Sequence, residues 1–157
     1  MSNNNSKDNN IDDVEYVTVM VGDQLFGIRI DRVHDVFIAN TITQVPLCPR
    51  EIRGLLNLRG RVVTAICMRA RLGLPDRNDD NDDMAVGLEH NGESFGLLVD
   101  QVGEVLKLSQ NSLEPNPVHL DPRWAKLSRG VHRLNGKLLI IFDVDAVLDY
   151  EPVAIAA

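Results

Sequence analysis

Short runs of apolar residues, separated by polar turns, extend over most of the sequence. The longest stretch of low acidity, residues 52–74 with the sequence IRGLLNLRGRVVTAICMRARLGL, predicts a β-hairpin. Residues 55–58 form its first strand, Arg59-Gly60 its turn and residues 62–68 its second strand. The apolar spacing then lengthens to four residues, which indicates a short helix directly after the hairpin.

The same pattern returns in residues 127–150, with the sequence LSRGVHRLNGKLLIIFDVDAVLDY. Gly130 stands where Gly54 stands in the first copy, and the Asn-Gly turn 135–136 stands where the Arg-Gly turn 59–60 stands. Asparagine adopts the left-handed backbone of such a turn more readily than arginine does. The turn itself therefore gives no reason for the arginine.

Each of these hairpins follows another predicted hairpin, at residues 14–30 in the first half and at residues 85–99 in the second. The earlier hairpins match at an offset of 69 residues and the later ones at 76, which places a seven-residue insertion around residues 113–124. A repeated unit of short strands, too small for a core of its own, predicts two similar β-barrels packed on each other.

The segment between the two hairpins of the first half is predicted to be a short amphipathic element. Asp31 is its expected cap, and Val33, Val36 and Phe37 are expected to face inward. Asp35 follows Val33 at a spacing of two. In an extended segment their side chains would point the same way, and in a helix they would diverge.

Polar stretches mark the boundaries of the folded unit. Residues 1–13 contain almost no apolar side chains and are predicted to be a disordered tail, and residues 151–157 are predicted to be a C-terminal tail that frays from Val153 on. Between them we expect one domain, 14–150, with partly intertwined halves at about 14–77 and 84–150. The run NDDNDD between the halves resembles the start of a calcium loop but lacks its glycine and glutamate, so a solvated turn is predicted.

Composition and charge narrow the possible functions. The chain has 23 acidic and 16 basic residues and a net charge of −7, which disfavours nonspecific binding to nucleic acid or to an anionic membrane. No apolar run approaches the roughly 20 residues that span a bilayer, and the N-terminus does not resemble a signal peptide. A cytoplasmic location without membrane insertion is therefore expected.

The sequence lacks a spaced set of catalytic, metal-ligating or phosphate-binding residues. The four histidines are scattered, and the glycines are not grouped in a nucleotide-binding motif. We therefore expect no catalytic residue, no metal and no cofactor. The alternative from another class is a small thiol-dependent or metal-dependent enzyme that uses Cys67 or the histidines. Because Cys67 lies in an apolar strand, a buried and reduced thiol is expected instead.

Four stretches together resemble the CheW family of bacterial chemotaxis: FGIRIDRVHDV, IRGLLNLRGRVV followed by RLGL, FGLLVDQVGEVLKL, and RGVHRLNGKLLIIFDVDAVL. The resemblance covers residues 15–149. It implies an all-β fold of two SH3-like five-stranded barrels with a shared hydrophobic junction and a few short helices. It also implies a noncatalytic adaptor, which joins the cytoplasmic tips of chemoreceptors (methyl-accepting chemotaxis proteins) to the regulatory domain of the histidine kinase CheA in a signalling array.

The resemblance also implies which residues meet these partners. The receptor-contact positions of the family correspond to Val33, Asp35, Asn57, Arg59 and Val86. Three further positions are expected either to contact the kinase or to support the fold, and the first of them is also a candidate receptor contact: Gly54, Leu58 and Gly60.

Two residues depart from the family pattern. Asp35 stands where glutamate is usual, which keeps the charge and shortens its reach. Cys67 stands where aspartate is usual, whereas the second half keeps Asp143 at the matching place. Because an aspartate there would cap the following helical turn, the first half is expected to lose about 1 kcal/mol of stability.

Two further expectations concern the partners. The excess of leucine and valine around the first central hairpin predicts a kinase contact on its apolar strand surface. A length of 157 residues favours a free-standing adaptor over the CheW-like domain of a kinase or of a receiver fusion. A CheW-like scaffold of a surface-motility or developmental kinase pathway fits the same residues and stays open.

Overall fold

Residues 12–77 and 83–149 are described by the computed structural model, and they form a mostly β fold. The strands are β1 (Asp13–Val21), β2 (Gln24–Arg29), β3 (Val33–Ala39), β4 (Ile52–Leu58), β5 (Arg61–Cys67), β6 (Asp83–His90), β7 (Glu93–Val99), β8 (Gln101–Ser109), β9 (Ser128–Leu134) and β10 (Lys137–Phe142). The short helices are α1 (Met68–Arg71), α2 (Pro122–Ala125) and α3 (Val144–Val147), with 3-10 turns at Ile30–Arg32 and Gln110–Ser112.

Three predicted segments lie outside the described residues. They are the N-terminal tail up to residue 11, most of the acidic turn at residues 78–82, and the C-terminal tail 151–157. Among the helices that the structure describes, none combines the length and the apolar character needed to cross a bilayer.

The described strands form two five-stranded sheets, and each sheet takes strands from both halves of the chain. The strand order is β8-β1-β2-β10-β9 in sheet 1 and β3-β6-β7-β5-β4 in sheet 2. The opening hairpin of each half, β1–β2 or β6–β7, therefore lies in one sheet with the three later strands of the other half. Exchanging every strand with its counterpart five places away converts one order into the other, which confirms the internal repeat.

Equivalent contacts hold both exchanged hairpins in place. β5 runs parallel to β7 with Thr64 opposite Phe95, and β10 runs parallel to β2 with Ile140 opposite Phe26. In each sheet, one backbone pair also connects the two edges. The segment that follows the strand at one edge pairs with the strand at the other edge. These pairs are Thr43 with Leu55 in sheet 2 and Glu114 with Val131 in sheet 1.

Three apolar clusters fill the described part of the fold. The largest contains residues of both sheets, including Phe26 and Phe142, whose rings stack with centroids 4.5 Å apart. We call it the junction cluster, and it confirms the predicted shared hydrophobic junction. The inner cluster of sheet 2 includes Leu56 and Leu98, and the inner cluster of sheet 1 is built around Tyr16, Leu139 and Ile141. Burial of such side chains is the main stabilising term for a fold of this size.

Strand β3 differs from the amphipathic element that the sequence predicted. It is extended from Val33 onward, and an irregular register between Val33 and Asp35 marks a β-bulge. Val33 packs on the junction cluster, whereas Asp35 lies opposite Gly87. The prediction that Val36 faces inward is wrong, because Val36 is exposed. Phe37 packs on the inner cluster of sheet 2, and its neighbour in an extended strand must then face the other way.

Candidate functional site

The turn between β4 and β5 holds Arg59 out in solvent. Arg59 and Gly60 have φ angles of 53° and 82°, so both adopt the left-handed backbone of a two-residue hairpin turn. The side-chain oxygen of Asn57 accepts a hydrogen bond from the Gly60 amide at 2.9 Å, which fixes the turn from within. The Arg59 side chain is 81% exposed. Its counterpart Asn135 has a φ of 42°, a backbone better suited to asparagine.

Asp35 approaches the same turn from β3. Its register partner in β6 is Gly87, and any side chain at that position would collide with Asp35 Oδ1. The Asp35 side chain is 22% exposed. Its Oδ1 atom is buried and accepts no hydrogen bond from the described residues. The glycine therefore leaves room for a carboxylate that has one oxygen turned into the protein.

Arg59 and Asp35, which are far apart in sequence, meet at this surface. Nη1 of Arg59 lies 4.0 Å from Oδ2 of Asp35. An ion pair of this length, with one partner mostly in solvent, contributes at most about 1 kcal/mol to stability. The guanidinium carries five donors in a planar fork and the carboxylate can accept several hydrogen bonds. The pair can therefore present both a donor and an acceptor to another protein.

The other predicted receptor-contact residues lie in different environments. Asn57 is exposed and belongs to the Arg59 turn. Val33 is half-buried and packs on the junction cluster. Val86 is fully buried in the same cluster, so its side chain is not at the surface. The fold thus brings three of the five residues to one surface, and Val86 could affect a partner only through the packing of β3 and β6.

Each of the three positions predicted to contact the kinase or support the fold has a structural role in the folded chain. Gly54 has a φ of 150°, and a side chain there would collide with the carbonyl of Thr43. Gly60 supplies the positive φ of the turn, with open space around it. Leu58 is half-buried and packs on the inner cluster of sheet 2. Whether any of them also contacts a kinase stays a prediction.

Comparison with known proteins places this fold. The family model described as CheW-like domain matches residues 15–151. The chain belongs to the CheW-like family. The chemotaxis protein CheW of Helicobacter pylori is 25% identical over 142 residues, which cover 90% of this chain and 86% of that protein. The chemotaxis protein CheW of Rhizobium meliloti is 28% identical over 137 residues, covering 87% and 88%. The crystal structure of scaffolding protein TtCheW from Thermoanaerobacter tengcongensis matches with a TM-score of 0.78 and 29% identity, over 88% of this chain and 89% of that one.

This CheW-like fold leaves a groove on its first half uncovered, in which two apolar side chains lie among polar ones. Leu55, Val62 and Thr64 of β4 and β5 line a groove of about 350 Å³, whose other side includes Glu93 and Ser94. Val62 is 53% exposed, although it lies in the middle of a hairpin. We call this surface the hairpin face. An exposed valine beside a half-buried leucine, surrounded by polar side chains, gives this surface the apolar centre and polar rim that a small protein interface needs.

The second half covers the matching face with its own chain. Val131 and Leu138, the counterparts of Leu55 and Val62, pack in or on the junction cluster, and Val131 is fully buried. Trp124, from the inserted segment, packs on the same cluster. The seven-residue insertion therefore accompanies the difference between the two faces. The sequence predicted an apolar surface here but did not single out Val62. The first half has no counterpart of Trp124, and this difference is the signal that could have identified Val62 as exposed.

Cys67 occupies the position before α1 that Asp143 occupies before α3. The Asp143 side chain accepts a hydrogen bond from the Ala146 amide at 3.2 Å, whereas the Cys67 side chain makes no capping bond. The predicted loss of a cap in the first half is thus confirmed. Cys67 is 5% exposed, and its sulfur instead lies 2.8 Å from Nη2 of Arg53, which donates to it. Within residues 12–77 and 83–149 there is no group of three metal-ligating side chains.

Proposed function

We propose that this chain is a noncatalytic adaptor that couples chemoreceptors to the histidine kinase CheA and so controls kinase activity. The observation that carries the proposal is the meeting of Arg59 and Asp35 at an exposed hairpin turn of a CheW-like fold. A charge pair with little value for stability, held on rigid strands, suits recognition of another protein. The names of its relatives, chemotaxis proteins and a scaffolding protein, support a scaffolding role in chemotaxis, and we place that role at a cytoplasmic receptor array as part of the proposal.

The receptor contact uses the opposite charges of Arg59 and Asp35 side by side. Arg59 offers its donors to carboxylates or carbonyls of the receptor, and Asp35 offers an acceptor to an N–H or hydroxyl group. Asn57 lies in the same turn and adds an amide group at the edge. The receptor element that docks here must therefore present an acceptor and a donor next to each other, which gives specificity beyond charge alone.

Arg59→Ala is expected to weaken binding of a receptor cytoplasmic fragment by roughly 2 kcal/mol, or about 30-fold, as for a central interface arginine. Its melting temperature should stay close to that of the parent, because a surface residue of this kind contributes about 0.5 kcal/mol or less to folding. Asp35→Ala should likewise weaken receptor binding and leave the melting temperature close to that of the parent. Titration calorimetry and thermal unfolding on the same preparations measure both quantities.

Arg133→Ala is the matched control for this prediction. Arg133 is an exposed arginine of the second half, and its Nε lies 3.1 Å from Oε1 of Glu114. Its removal deletes the same charge from a comparable ion pair and should leave receptor binding unchanged. If Arg59→Ala binds the receptor fragment as tightly as the parent, or melts far below it, the assignment of the receptor site is wrong.

The kinase contact is proposed to lie on the hairpin face. Val62→Glu places a charge in the centre of this face and is expected to weaken binding of the CheA regulatory domain by about 2 kcal/mol or more, because a buried charge without a partner is costly. The free protein should lose little stability, since Val62 is already half in solvent. Gel filtration of mixtures at tens of micromolar would resolve the complex of the parent, because transient signalling pairs often bind with micromolar affinity.

Val105→Glu is the control for this second surface. Val105 is also an exposed valine, but it lies on β8 of sheet 1. The substitution introduces the same charge on another strand and should leave the complex with the kinase domain intact. Equal weakening by both variants would point to a general charge effect and against the hairpin face. Failure of the parent to form a complex at all would count against the adaptor function itself.

A further inference from the structure

His132 is a titratable residue in an interior position of sheet 1. It lies on β9 and is 1% exposed, and its counterpart in the first half is Leu56, a core residue. The ring packs against Tyr16, with centroids 5.7 Å apart. Leu139, the register partner of His132 in β10, is fully buried in the inner cluster of this sheet. The chain thus places an imidazole where the repeat otherwise uses an aliphatic side chain.

The hydrogen bonds around His132 select one tautomer of its neutral ring. The hydroxyl of Ser112 donates to the carbonyl of Ser109 at 2.8 Å, so its single proton is used. Nδ1 of His132 lies 3.3 Å from the same Ser112 oxygen. In this arrangement Nδ1 is assigned the proton and donates to Ser112. Nε2 is then the unprotonated nitrogen, and it is buried with no hydrogen-bond partner among the described residues.

Few groups around the ring could compensate a positive charge. Tyr16 faces it from β1, and Glu114 approaches from the segment after β8, where it is already paired with Arg133. From β8 the residues packed in the inner cluster are leucines, and Lys107 of that strand is exposed. The lysine at the start of β10 is exposed as well. Burial lowers the pKa of His132, and the Glu114 carboxylate offsets only part of this effect.

We propose that His132 is an acid-sensitive latch, which in mildly acidic solution takes up a proton at Nε2 and favours release of the segment around Ser112 and Glu114 from β9. Protonation turns Nε2 into a buried donor without an acceptor, next to apolar side chains. The segment that contacts the ring through Ser112 is held to β9 by two backbone bonds, from Glu114 N to Val131 O and from Val131 N to Glu114 O, both 2.8 Å long. We call this pair of backbone bonds the Glu114 joint. Opening the joint exposes the imidazole ring to water, which solvates its positive charge.

The direction of the pH effect follows from proton linkage. In the closed state the pKa of His132 lies below the ordinary value of 6.5, and in the opened state it returns to that value. Below pH 6.5 the opened state therefore binds more protons, and opening becomes more favourable as the pH falls. Each unit of difference between the two pKa values raises the opening constant by a factor of up to about ten. Well above pH 6.5 the ring is neutral in both states and the joint is insensitive to pH.

Amide hydrogen exchange of the full chain at about pH 7.5 and about pH 5.5 tests the latch, after correction for the intrinsic pH dependence of exchange. The amides of Glu114 and Val131 should lose protection at the lower pH. The amides of Thr43 and Leu55, which form the equivalent joint of sheet 2, should keep theirs. A parallel NMR titration of the His132 ring should give a pKa below 6.5, the ordinary value for histidine.

Three variants separate the latch from a general effect of acid. His132→Gln keeps a donor for Ser112 and removes the titration, and His132→Leu installs the residue type of the first half; both should abolish the pH dependence at the Glu114 joint. His119→Gln, at an exposed position, should retain it. Equal loss of protection at both joints in the parent, or unchanged pH dependence in His132→Gln, would overturn the proposal. If both His132 variants fail to fold, the comparison of the two joints within the parent still decides.

Discussion

Asp100→Asn is expected to lower the free energy of unfolding by about 3 kcal/mol. The Asp100 carboxylate accepts two hydrogen bonds from Arg69, at 2.9 Å from Nε to Oδ1 and 2.7 Å from Nη2 to Oδ2. The amide of Gly22 donates a third, at 2.8 Å. Asparagine has one acceptor oxygen and no charge, so it cannot keep all three bonds. Because the Arg69 and Asp100 side chains are 21% and 15% exposed, we expect the low end of the range for breaking a buried ion pair.

The position of Asp100 explains why the loss should affect the whole domain. Asp100 directly precedes β8 of sheet 1, and Gly22 lies in the turn between β1 and β2 of the same sheet. Arg69 lies in α1, which follows β5 of sheet 2, and it also donates to the carbonyl of Pro75 at 2.8 Å. The carboxylate therefore connects elements of both sheets. Urea unfolding of the parent and of the variant measures the difference directly.

The same carboxylate predicts an acid-dependent step in stability. Burial alone would raise the pKa of Asp100, but the hydrogen bonds from Arg69 and Gly22 and the charges of Arg69 and Arg77 lower it overall. The folded state then binds the proton less readily than the unfolded state, so this contribution is present above pH 3.8 and is lost progressively as the pH falls below that value. The free energy of unfolding of Asp100→Asn should lack this acid-dependent step, so the values for the parent and the variant should converge at low pH.

Asp31→Asn is the matched control, because Asp31 is the counterpart of Asp100 in the first half. It also pairs with an arginine, Arg29, at 3.1 Å, but its side chain is 61% exposed. An exposed pair of this kind contributes little, so the control should cost no more than about 0.5 kcal/mol. A loss of similar size in both variants, or no measurable loss in Asp100→Asn, would show that burial of the Asp100 pair does not stabilise the fold as argued.

The internal repeat made much of the fold predictable. The two central hairpins could be located because Arg59-Gly60 and Asn135-Gly136 interrupt apolar runs, and all four residues have positive φ angles. The sequence predicts that the halves are intertwined, but not which strands are exchanged. Parallel pairing of Thr64 with Phe95 leaves no local mark in either strand, because it depends on contacts between distant segments.

Local pattern was also insufficient where one residue shifts the register. The spacing of two between Val33 and Asp35 suggested a common direction in an extended strand, but the register of β3 and β6 shifts between them, so that Val33 packs on the junction cluster whereas Asp35 lies opposite Gly87. The orientation of Val36 was predicted wrongly for a different reason, because Val33 and Val36 are spaced as on one face of a helix, whereas β3 is extended and its residues alternate between the two faces. Bulges depend on both partner strands, and the sequence of one strand does not reveal them.

The candidate site was predictable to a different extent for each residue. Arg59 stood out because its counterpart is Asn135, and its exposure follows from the turn itself. The burial of Val86 could not be foreseen, since an apolar residue in a strand fits either face and the second sheet decides which face is covered. The bonds of Asp100 with Arg69 were invisible for the same reason, as they exist only once the two sheets have packed.

Gly54→Ala is expected to destabilise the domain by about 3 kcal/mol or more. The loss would come from backbone strain and from disruption of the backbone bonds between Thr43 and Leu55, and not from the loss of a surface that contacts a partner. Gly54 has a φ of 150°, which residues with a side chain rarely adopt. A Cβ atom there would collide with the carbonyl oxygen of Thr43 and come within 2.9 Å of Cγ2 of Ile42. The carbonyl cannot retreat freely, because it accepts from Leu55 N at 2.8 Å while Thr43 N donates to Leu55 O at 2.7 Å.

Gly60→Ala separates the strain of backbone conformation from the collision. Gly60 lies in the same hairpin with a φ of 82°, but no atom lies within 4 Å of a Cβ built there. Its substitution should therefore cost only the conformational penalty, about 1 kcal/mol. Urea unfolding of both variants gives the comparison, and binding of the kinase domain under conditions where both are folded shows whether either glycine also contacts that partner. Equal losses of stability would mean that the Thr43 segment yields easily and that Gly54 is not needed for close approach. A Gly54→Ala variant that stays folded but no longer binds the kinase domain would instead assign this glycine to the interface.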